Sequence, residues 1–146
     1  MRRAQALGFL GPGPIDAHLD HAAGYVVVDP PERALDLGSG AGVPGLALAG
    51  RWPDSRWMLL DANERRGALL VQAIADLGWV GRVQVVVARA EDAARDSGLR
   101  GAFDLVTARS FGPPAVTAEC GAPFLSVGGR LVVSEPPAED PDPDAD

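Results

Sequence analysis

Lysine is absent from this sequence of 146 residues, and all 13 basic residues are arginine. We attribute this mainly to coding bias. The 20 acidic residues give a formal net charge of −7, but five of them fall within residues 139–146. The remaining body carries 15 acids against 13 arginines and is nearly neutral. Such a balance does not indicate a broad nucleic-acid surface, although a local cluster of arginines would be sufficient for one.

Cysteine and histidine are almost as scarce. The single cysteine, Cys120, excludes an intramolecular disulfide, and we expect it to fill a small buried space. The only histidines, His18 and His21, are three residues apart, but no cysteine or acidic partner completes a convincing set of metal ligands. The sequence therefore predicts no metal site.

Long apolar runs are also missing, and none reaches the length of a transmembrane helix. The N-terminus begins with Met1-Arg2-Arg3 and has no sustained apolar region, so we predict no signal peptide. We expect a cytoplasmic protein that does not bind membranes. The chain length and the hydrophobic content of 47% fit one globular domain with its own core.

The stretch Arg33–Gly50, RALDLGSGAGVPGLALAG, organises the chain. A short apolar run ends in a cluster of glycines, and an apolar helix-like segment follows at once. This order is typical of the strand, turn and helix of a nucleotide-binding unit. Glycine lets a ligand approach the backbone, and free N–H groups at the helix start can bind polar groups. The glycines are Gly38, Gly40, Gly42 and Gly45.

Two acidic residues help to define the nucleotide. The pattern DLGSGAG, which begins at Asp36, resembles the acidic-x-Gly-x-Gly-x-Gly motif of Rossmann-like S-adenosylmethionine-dependent methyltransferases. Asp61 ends the next apolar run and can accept hydrogen bonds from ribose hydroxyls. The segment Gly40–Gly45 also matches the G-x-G-x-x-G pattern of NAD sites, with Asp61 about 20 residues further on. That interpretation leaves Asp36 unexplained, so we favour the methyl donor over a nicotinamide dinucleotide.

Strands alternate with helices along the rest of the chain, which predicts an α/β fold with a doubly wound, mostly parallel sheet. We expect the third strand to be buried because it is mostly apolar, and we expect Gly128-Gly129 to turn into the fifth. One helix should begin at the N-cap Asn63 and end at Gly78. The predicted strands are Ala34–Leu37, Trp57–Asp61, Val83–Ala88, Phe103–Ala108 and Arg130–Ser134, with a strand-like Val26–Val28 before them.

The chain divides into three parts on composition. Residues 1–32 form an N-terminal arm with a short helix at Asp16–Tyr25, residues 33–135 form the domain, and residues 136–146 form a disordered acidic tail. Ligands of such sheets bind beyond the carboxyl ends of the strands, where the strand order reverses. The segments Asp36–Gly42 and Ala90–Glu91, together with Asp61 and Arg109, follow such ends.

A closer resemblance rests on five segments, LDLGSGAGVPGLALA, LLDANERRGALL, VVVARAED, FDLVTARSFGPP and GGRLVVSE. In this order and spacing they are similar to the glucose-inhibited division protein B family. Its members are guanine-N7 methyltransferases of small-subunit ribosomal RNA. The similarity covers about Arg33 to Glu135. It implies a Rossmann-like class I methyltransferase fold, S-adenosyl-L-methionine as cofactor and ribosomal RNA as a partner.

The resemblance also implies roles for residues. Gly38 and Val43 would contact the methyl donor, Asp61 would bind the ribose, and Asp36 would lie near the amino-acid end. Ala90 and Glu91 would frame the adenine, and Arg109 matches a binding arginine of the family. No catalytic residue is assigned. The implied cofactor-binding set is Asp36, Gly38, Ser39, Gly40, Gly42, Val43, Asp61, Ala62, Ala90, Glu91 and Arg109.

The chain departs from the family at both ends. The family usually has further N-terminal helices and two more strands after the fifth, so we expect a truncated chain that lacks the C-terminal strands. The apolar segment Leu131–Val133 would then be an uncovered edge strand, which invites pairing with another strand. We therefore hypothesise a homodimer through this edge. Two alternatives in function stay open: a cofactor-binding module without RNA activity, and a small-molecule methyltransferase.

Overall fold

The structure, a computed structural model, describes residues 24–25, 28–40, 42–109 and 111–134. Most of the predicted N-terminal arm and helix, and the whole acidic tail, lie outside these residues and stay predictions. Gly24 and Tyr25 form a turn and Val28 a bend, so the described end of the strand-like segment is not a strand.

One parallel sheet with helices on both sides forms the described part of the chain. The elements are, in chain order, β1 (Arg33–Leu37), α1 (Gly45–Arg51), β2 (Arg56–Asp61), α2 (Glu64–Leu77), β3 (Val83–Val87), α3 (Ala90–Ala93), β4 (Phe103–Arg109), α4 (Pro114–Gly121), a short 3-10 helix (Ala122–Phe124) and β5 (Leu125–Ser134).

The strand order is β3-β2-β1-β4-β5, and every neighbouring pair is parallel. The chain moves outward from β1 to β3 and then crosses to the other side of β1 with β4 and β5. This reversal creates a switch point between β1 and β4, where ligands of open α/β sheets bind. The predicted doubly wound parallel sheet is confirmed.

Two apolar clusters cover the two faces of the sheet. On one face, Leu48 of α1, Trp52 directly after α1 and Ile74 of α2 pack against Trp57 and Leu59 of β2. On the other face, the cluster contains residues of α3 and the 3-10 helix together with side chains of β1, β2 and β4. Burying one large apolar side chain stabilises the fold by about 1.5–3 kcal/mol. Within this second cluster the main buried side chains are Leu35, Leu37, Leu60, Phe103, Val106 and Phe124.

Helix α2 has the predicted ends because both depend on local chemistry. The Asn63 side chain accepts a hydrogen bond from the Arg66 backbone N–H at 3.0 Å, which caps the helix. Gly78 ends it with a φ of 74°, the left-handed conformation that glycine adopts easily. Cys120 is half-buried against the second cluster rather than enclosed, so the expectation of a buried site is only partly met.

The structure corrects two strand predictions in part. The structure places β3 at the sheet edge, where Gln84 and Val87 are exposed, because β3 has a neighbour on one side only. Strand β5 begins at Leu125 rather than Arg130 and runs through the predicted Gly128-Gly129 turn. The register between β4 and β5 shifts between the pairs Phe103–Leu125 and Leu105–Arg130, and Gly128 in this stretch has a φ of 82°, so β5 contains a bulge at the predicted turn. Its regular pairing with β4 begins at Arg130, the predicted first residue.

Candidate functional site at the carboxyl ends of the strands

Several strand ends converge on one edge of the sheet. Leu37, the last residue of β1, lies opposite Leu60 of β2 and Ala108 of β4. The positions that follow them therefore share the carboxyl edge. The structure brings the glycine turn, Asp61 and Arg109 to this edge, beside the switch point.

The turn after β1 uses backbone conformations that favour glycine. Gly38, Gly40 and Gly42 have φ angles of 68°, 56° and 90°, values that other L residues adopt only with strain. Backbone hydrogen bonds close the turn, from Gly42 N to the Ser39 carbonyl at 2.8 Å and from Ser39 N to the Leu60 carbonyl at 2.9 Å. The need for glycine at these positions is therefore set by backbone shape.

The three glycines differ in the space around them. A Cβ at Gly42 would lie 2.8 Å from the Leu46 Cβ, and one at Gly38 would lie 2.9 Å from the Phe111 ring. Among the described residues, a Cβ at Gly40 would meet nothing closer than the Gly38 carbonyl oxygen at 3.8 Å. Gly40 is therefore the open point of the turn, where a ligand could approach the backbone closely.

Asp36 lies beneath the turn and is only 1% exposed. Its Oδ2 accepts hydrogen bonds from the Ser39 hydroxyl at 2.7 Å and from Gly45 N at 3.0 Å, while its Oδ1 accepts one from the Thr107 hydroxyl at 2.7 Å. A Cβ at Gly45 would collide with this carboxylate. Asp36 thus ties the turn, the start of α1 and strand β4 together.

Burial dominates the electrostatics of Asp36. Loss of water raises the pKa of its carboxyl from 3.8 to about 6, although the bonds from Ser39, Thr107 and Gly45 oppose this rise. The carboxylate of Asp61 adds a smaller repulsive contribution in the same direction. The protonation state of the group that fixes the turn therefore changes in weakly acidic solution.

Asp61 is also buried, at 5% exposure, but it lies beside the open part of the turn. Its Oδ2 accepts a hydrogen bond from Gly40 N at 2.8 Å and lies 3.6 Å from the Arg66 guanidinium. Its Oδ1 accepts a bond from Asn63 N at 2.9 Å. An ionised carboxylate has about four acceptor positions, so Asp61 keeps capacity for further donors such as ribose hydroxyls.

The other predicted site residues have different environments. Ser39 and Val43 are buried in the turn. Ala62 is exposed between β2 and α2. Ala90 is buried as the first residue of α3, whereas the Glu91 side chain is exposed and lies 3.4 Å from the Arg89 guanidinium.

Three further residues lie near this edge that the sequence did not indicate. Thr107, a polar residue in a buried strand, lies in register with Asp36 and binds it. The buried hydroxyl of Tyr25 donates a hydrogen bond to the Ala108 carbonyl at 2.6 Å, and burial raises its pKa. Phe111 packs over Gly38. A threonine within an otherwise apolar strand could have been noticed in the sequence. Its partner, Asp36, could not be identified from the sequence, because the contact depends on the pairing of β1 with β4.

Within the described ranges there is no group of three or more histidine, cysteine, aspartate or glutamate side chains that could hold a metal ion. The helices in the same ranges are also too short or too polar to cross a membrane.

Comparison with known proteins identifies the family. A family model described as rRNA small subunit methyltransferase G, or GidB, matches residues 16–135. The chain belongs to the GidB family. The GidB match includes all five strands, and it starts within the segment that composition assigned to the N-terminal arm. The resemblance inferred from the sequence segments is confirmed.

Two similar GidB proteins, each named ribosomal RNA small subunit methyltransferase G, show how much of the family this chain spans. The protein from Dehalococcoides mccartyi (strain CBDB1) is 40% identical over 101 residues, and that from Moorella thermoacetica is 36% identical over 110 residues. The alignments cover 69% and 75% of this chain but 43% and 45% of the relatives. The chain thus spans less than half the length of these curated relatives.

Solved structures confirm the fold class. A SAM-dependent methyltransferase from Thiobacillus denitrificans, in complex with S-adenosyl-L-homocysteine, has a TM-score of 0.67 at 19% identity, over 90% of this chain and 53% of that one. A second such complex, from Geobacter sulfurreducens, has a TM-score of 0.63 at 22% identity, over 84% and 51%. This GidB chain therefore has the Rossmann-like class I methyltransferase fold.

Proposed function

We propose that this chain is the S-adenosyl-L-methionine-binding core of a methyltransferase that modifies guanine N7 in small-subunit ribosomal RNA. One observation carries the proposal. In a chain of the GidB family, Asp61 accepts a hydrogen bond from Gly40 N at the carboxyl ends of the strands. A ribose lying there would meet a carboxylate that the turn already holds in place. A cytoplasmic location, where ribosomes are made, goes with this proposal.

The residues of the crevice fit S-adenosyl-L-methionine. The space above Gly40 admits a ligand close to the backbone, and Asp61 keeps acceptor capacity for two ribose hydroxyls. Ala90 and Glu91, at the start of α3, would flank the adenine. Arg109 brings a positive charge to the end of β4. The remaining contacts of the proposed site are with Gly38, Ser39, Gly42, Val43 and Ala62.

The environment of Asp36 modifies its proposed role. Because both of its carboxylate oxygens accept protein hydrogen bonds and it is 1% exposed, it would act on the cofactor from below, by fixing the shape of the turn. Hydrogen bonds to a charged group contribute about 1.5–3 kcal/mol each, and the bonds to the Asp36 carboxylate should stabilise the turn by amounts of this order. Asp36 is a positioning residue in this proposal, whereas Asp61 would touch the cofactor.

The chemistry requires little beyond positioning. S-adenosyl-L-methionine supplies a methyl group on a positively charged sulfur. The N7 atom of guanine has a free lone pair and no proton to remove, so no side chain needs to act as a general base. The chain would hold the two reactants in line, an effect that can lower a barrier by about 7–11 kcal/mol.

A methyl-transfer assay tests the proposal. The chain is incubated with radiolabelled S-adenosyl-L-methionine and small-subunit ribosomal RNA from a strain that lacks this modification. We expect label in the RNA and 7-methylguanosine in its nuclease digest. RNA from the modified parent strain is the matched control and should take up none.

The same assay separates the two alternatives that the sequence left open. Cofactor binding without any transfer to RNA would favour a cofactor-binding module that acts with a partner chain. Label in a small acceptor molecule, with none in RNA, would favour a small-molecule methyltransferase. Either outcome would contradict ribosomal RNA as the substrate of this chain.

A further inference from the structure

Three arginines form a row at the amino ends of the strands, the edge opposite the candidate cofactor site. Arg33 begins β1 and lies in register with Arg56, which begins β2. Arg82 directly precedes β3, and its carbonyl accepts a hydrogen bond from Trp57 N at 3.0 Å, so it lies beside Arg56 on the next strand. We call Arg33, Arg56 and Arg82 the arginine row.

The arginine row lines a cavity of about 180 Å³, and among the described residues no carboxylate belongs to its wall. Arg33 and Arg56 are exposed, and Arg82 is half-buried. The size suits a small anionic group such as a phosphate with its first shell of water. The described residues of the wall are Arg33, Arg56, Trp57, Met58, Gly81, Arg82, Gln84 and Phe103.

The guanidinium groups of Arg33 and Arg56 have donors to spare. Among the described residues, no carboxylate forms an ion pair with either group, and no acceptor takes a hydrogen bond from either side chain. The Arg33 guanidinium is held over the Phe103 ring, 5.2 Å from its centre, which orients the group without using its N–H donors.

Arg82 differs from the other two arginines because its guanidinium is hydrogen-bonded to backbone carbonyls, which fixes this end of the row. Its NH1 donates to the carbonyls of Ala49 and Ser55 at 2.9 and 3.0 Å, and its guanidinium stacks on Trp79 at 4.8 Å. These bonds satisfy carbonyls near the C-terminal end of α1 and leave the other nitrogens of Arg82 without an acceptor among the described residues.

Like charges in register repel each other, and this arrangement costs stability unless an anion joins them. The Asp104 carboxylate of β4 accepts hydrogen bonds from Glu32 N at 2.9 Å and Arg33 N at 3.0 Å, but it forms no ion pair with the guanidinium of Arg33 or Arg56. The positive charge of Arg33 and Arg56 is therefore not neutralised by contact within the described chain.

We propose that the arginine row binds a phosphate group, with Arg33 and Arg56 as the ligands and Arg82 as a fixed wall. Guanidinium forks match phosphate oxygens in geometry and charge. Because the proposed substrate is ribosomal RNA, we assign this phosphate to the RNA backbone. The row lies about 16 Å from the glycine turn, the length of five residues at about 3.3 Å each, so a large RNA could contact both edges. Only this choice of source rests on the proposed function.

The test compares wild type with the double variant Arg33→Gln/Arg56→Gln. A matched control is Arg51→Gln/Arg95→Gln, which removes two exposed arginines outside the cavity. Binding of a fluorescent single-stranded RNA is measured by anisotropy at several salt concentrations. We expect the row variant to bind about tenfold more weakly and its salt slope to fall by about 0.7, because one phosphate contact is lost. The control should change much less.

A second measurement distinguishes RNA from free phosphate. Thermal unfolding is followed in a phosphate-free buffer with added inorganic phosphate. We expect phosphate to raise the Tm of wild type and not that of the row variant, and we expect the row variant without phosphate to be at least as stable as wild type. If phosphate protection depends on the row while RNA affinity does not, the source is a free phosphate and the RNA assignment is wrong. If neither depends on the row, the proposal is overturned.

Cofactor titration separates this inference from the proposed function. The row variant should bind S-adenosyl-L-methionine as wild type does, because the two sites lie at opposite edges of the sheet. If the wild-type chain does not bind the cofactor, the proposed function is contradicted, but the result on phosphate binding still stands. A wild-type chain that binds no RNA would contradict the RNA source directly.

Discussion

Asp36 and Asp61 look alike in the sequence but have different surroundings in the structure. Asp36 lies two residues before the first glycine of the turn, and Asp61 is the last residue of β2. Both positions are close to the carboxyl end of a strand, so the sequence pattern assigns both residues to the cofactor site. The structure buries Asp36 among Ser39, Gly45 and Thr107, whereas Asp61 borders the open side of the turn. The sequence could not separate them, because the Thr107 contact spans 71 residues and depends on the pairing of two strands.

Replacing Asp61 by alanine should weaken cofactor binding by roughly 1.5–3 kcal/mol, since charge-assisted hydrogen bonds to the ribose would be lost. Calorimetry on the folded variant measures this. Asp76→Ala, at an exposed acid on the far part of α2, is the matched control and should leave the affinity unchanged. Equal affinities for wild type and Asp61→Ala would remove Asp61 from the site.

The raised pKa of Asp36 makes stability depend on pH. Between the ordinary value of 3.8 and the folded value of about 6, the folded protein keeps a proton that the unfolded chain has lost. The contribution of Asp36 to the free energy of unfolding is therefore full below about pH 3.8 and is lost as the pH rises through about 6. The loss is roughly 3 kcal/mol, at about 1.4 kcal/mol for each pKa unit.

An NMR titration of the Asp36 carboxyl carbon checks this directly. We expect a midpoint near 6. Denaturant unfolding of wild type and Asp36→Asn at several pH values gives the corresponding stabilities, and the variant should lose less stability than wild type over the same range. A midpoint at or below 3.8 would show that the hydrogen bonds outweigh burial.

At the scale of elements, the glycine turn carries the site, and a matched pair of substitutions tests it. Gly40 and Gly78 both have left-handed backbones, with φ of 56° and 74°, and no described side chain lies close to the Cβ position of either. Valine at either position should cost about 1–2 kcal/mol of stability. Only Gly40→Val should abolish cofactor binding, because only that side chain would fill the crevice.

Thermal unfolding measures the backbone strain in each variant, and calorimetry measures whether the new side chain blocks the cofactor crevice. Similar losses in Tm with loss of binding in Gly40→Val alone would support the assignment. A Gly40→Val variant that binds the cofactor as well as wild type does would show that the turn is not part of the site.

Elements with local end signals were predictable, and elements defined by their neighbours were not. Asn63 and Gly78 mark both ends of α2 because a cap involves residues within one turn. The length of β5 depends on its irregular register with β4, and the exposure of β3 depends on strand order. Neither property is encoded in a short segment, so Gly128-Gly129 resembled a turn and β3 resembled a buried strand.

At the scale of the whole molecule, strand β5 leaves an open edge in the described sheet. It pairs with β4, and no other described strand pairs with it. We propose that a second copy of the chain covers this edge, since unpaired strand edges favour association. Light scattering at micromolar concentration should then detect a dimer.

Substitution at the two sheet edges tests this proposal. Val127 of β5 is fully exposed, so Val127→Lys should lower the dimer fraction without damage to the core. Val80, exposed beside β3 at the other edge, provides the control Val80→Lys, which should leave the dimer intact. A wild-type chain that is strictly monomeric at these concentrations would contradict the proposal.

The overall architecture followed from the sequence because it depends on a repeated pattern. Apolar runs that alternate with helical segments predict a parallel sheet, and the acid and glycine positions place a ligand at the carboxyl ends of β1 and β2. The fine structure of the site required the fold itself. Tyr25, Phe111 and Thr107 reach the crevice from distant parts of the chain, so no local spacing indicates them.

Calorimetric titration of the wild-type chain with S-adenosyl-L-methionine, in parallel with NAD, tests the central claim most directly. Asp36 under the turn favours the methyl donor, whereas Asp61 beside Gly40 could bind a ribose of either ligand. We predict saturable binding of S-adenosyl-L-methionine with one molecule per chain, and no binding of NAD under the same conditions. Tighter binding of NAD than of S-adenosyl-L-methionine, or a folded chain that binds neither, would contradict the account.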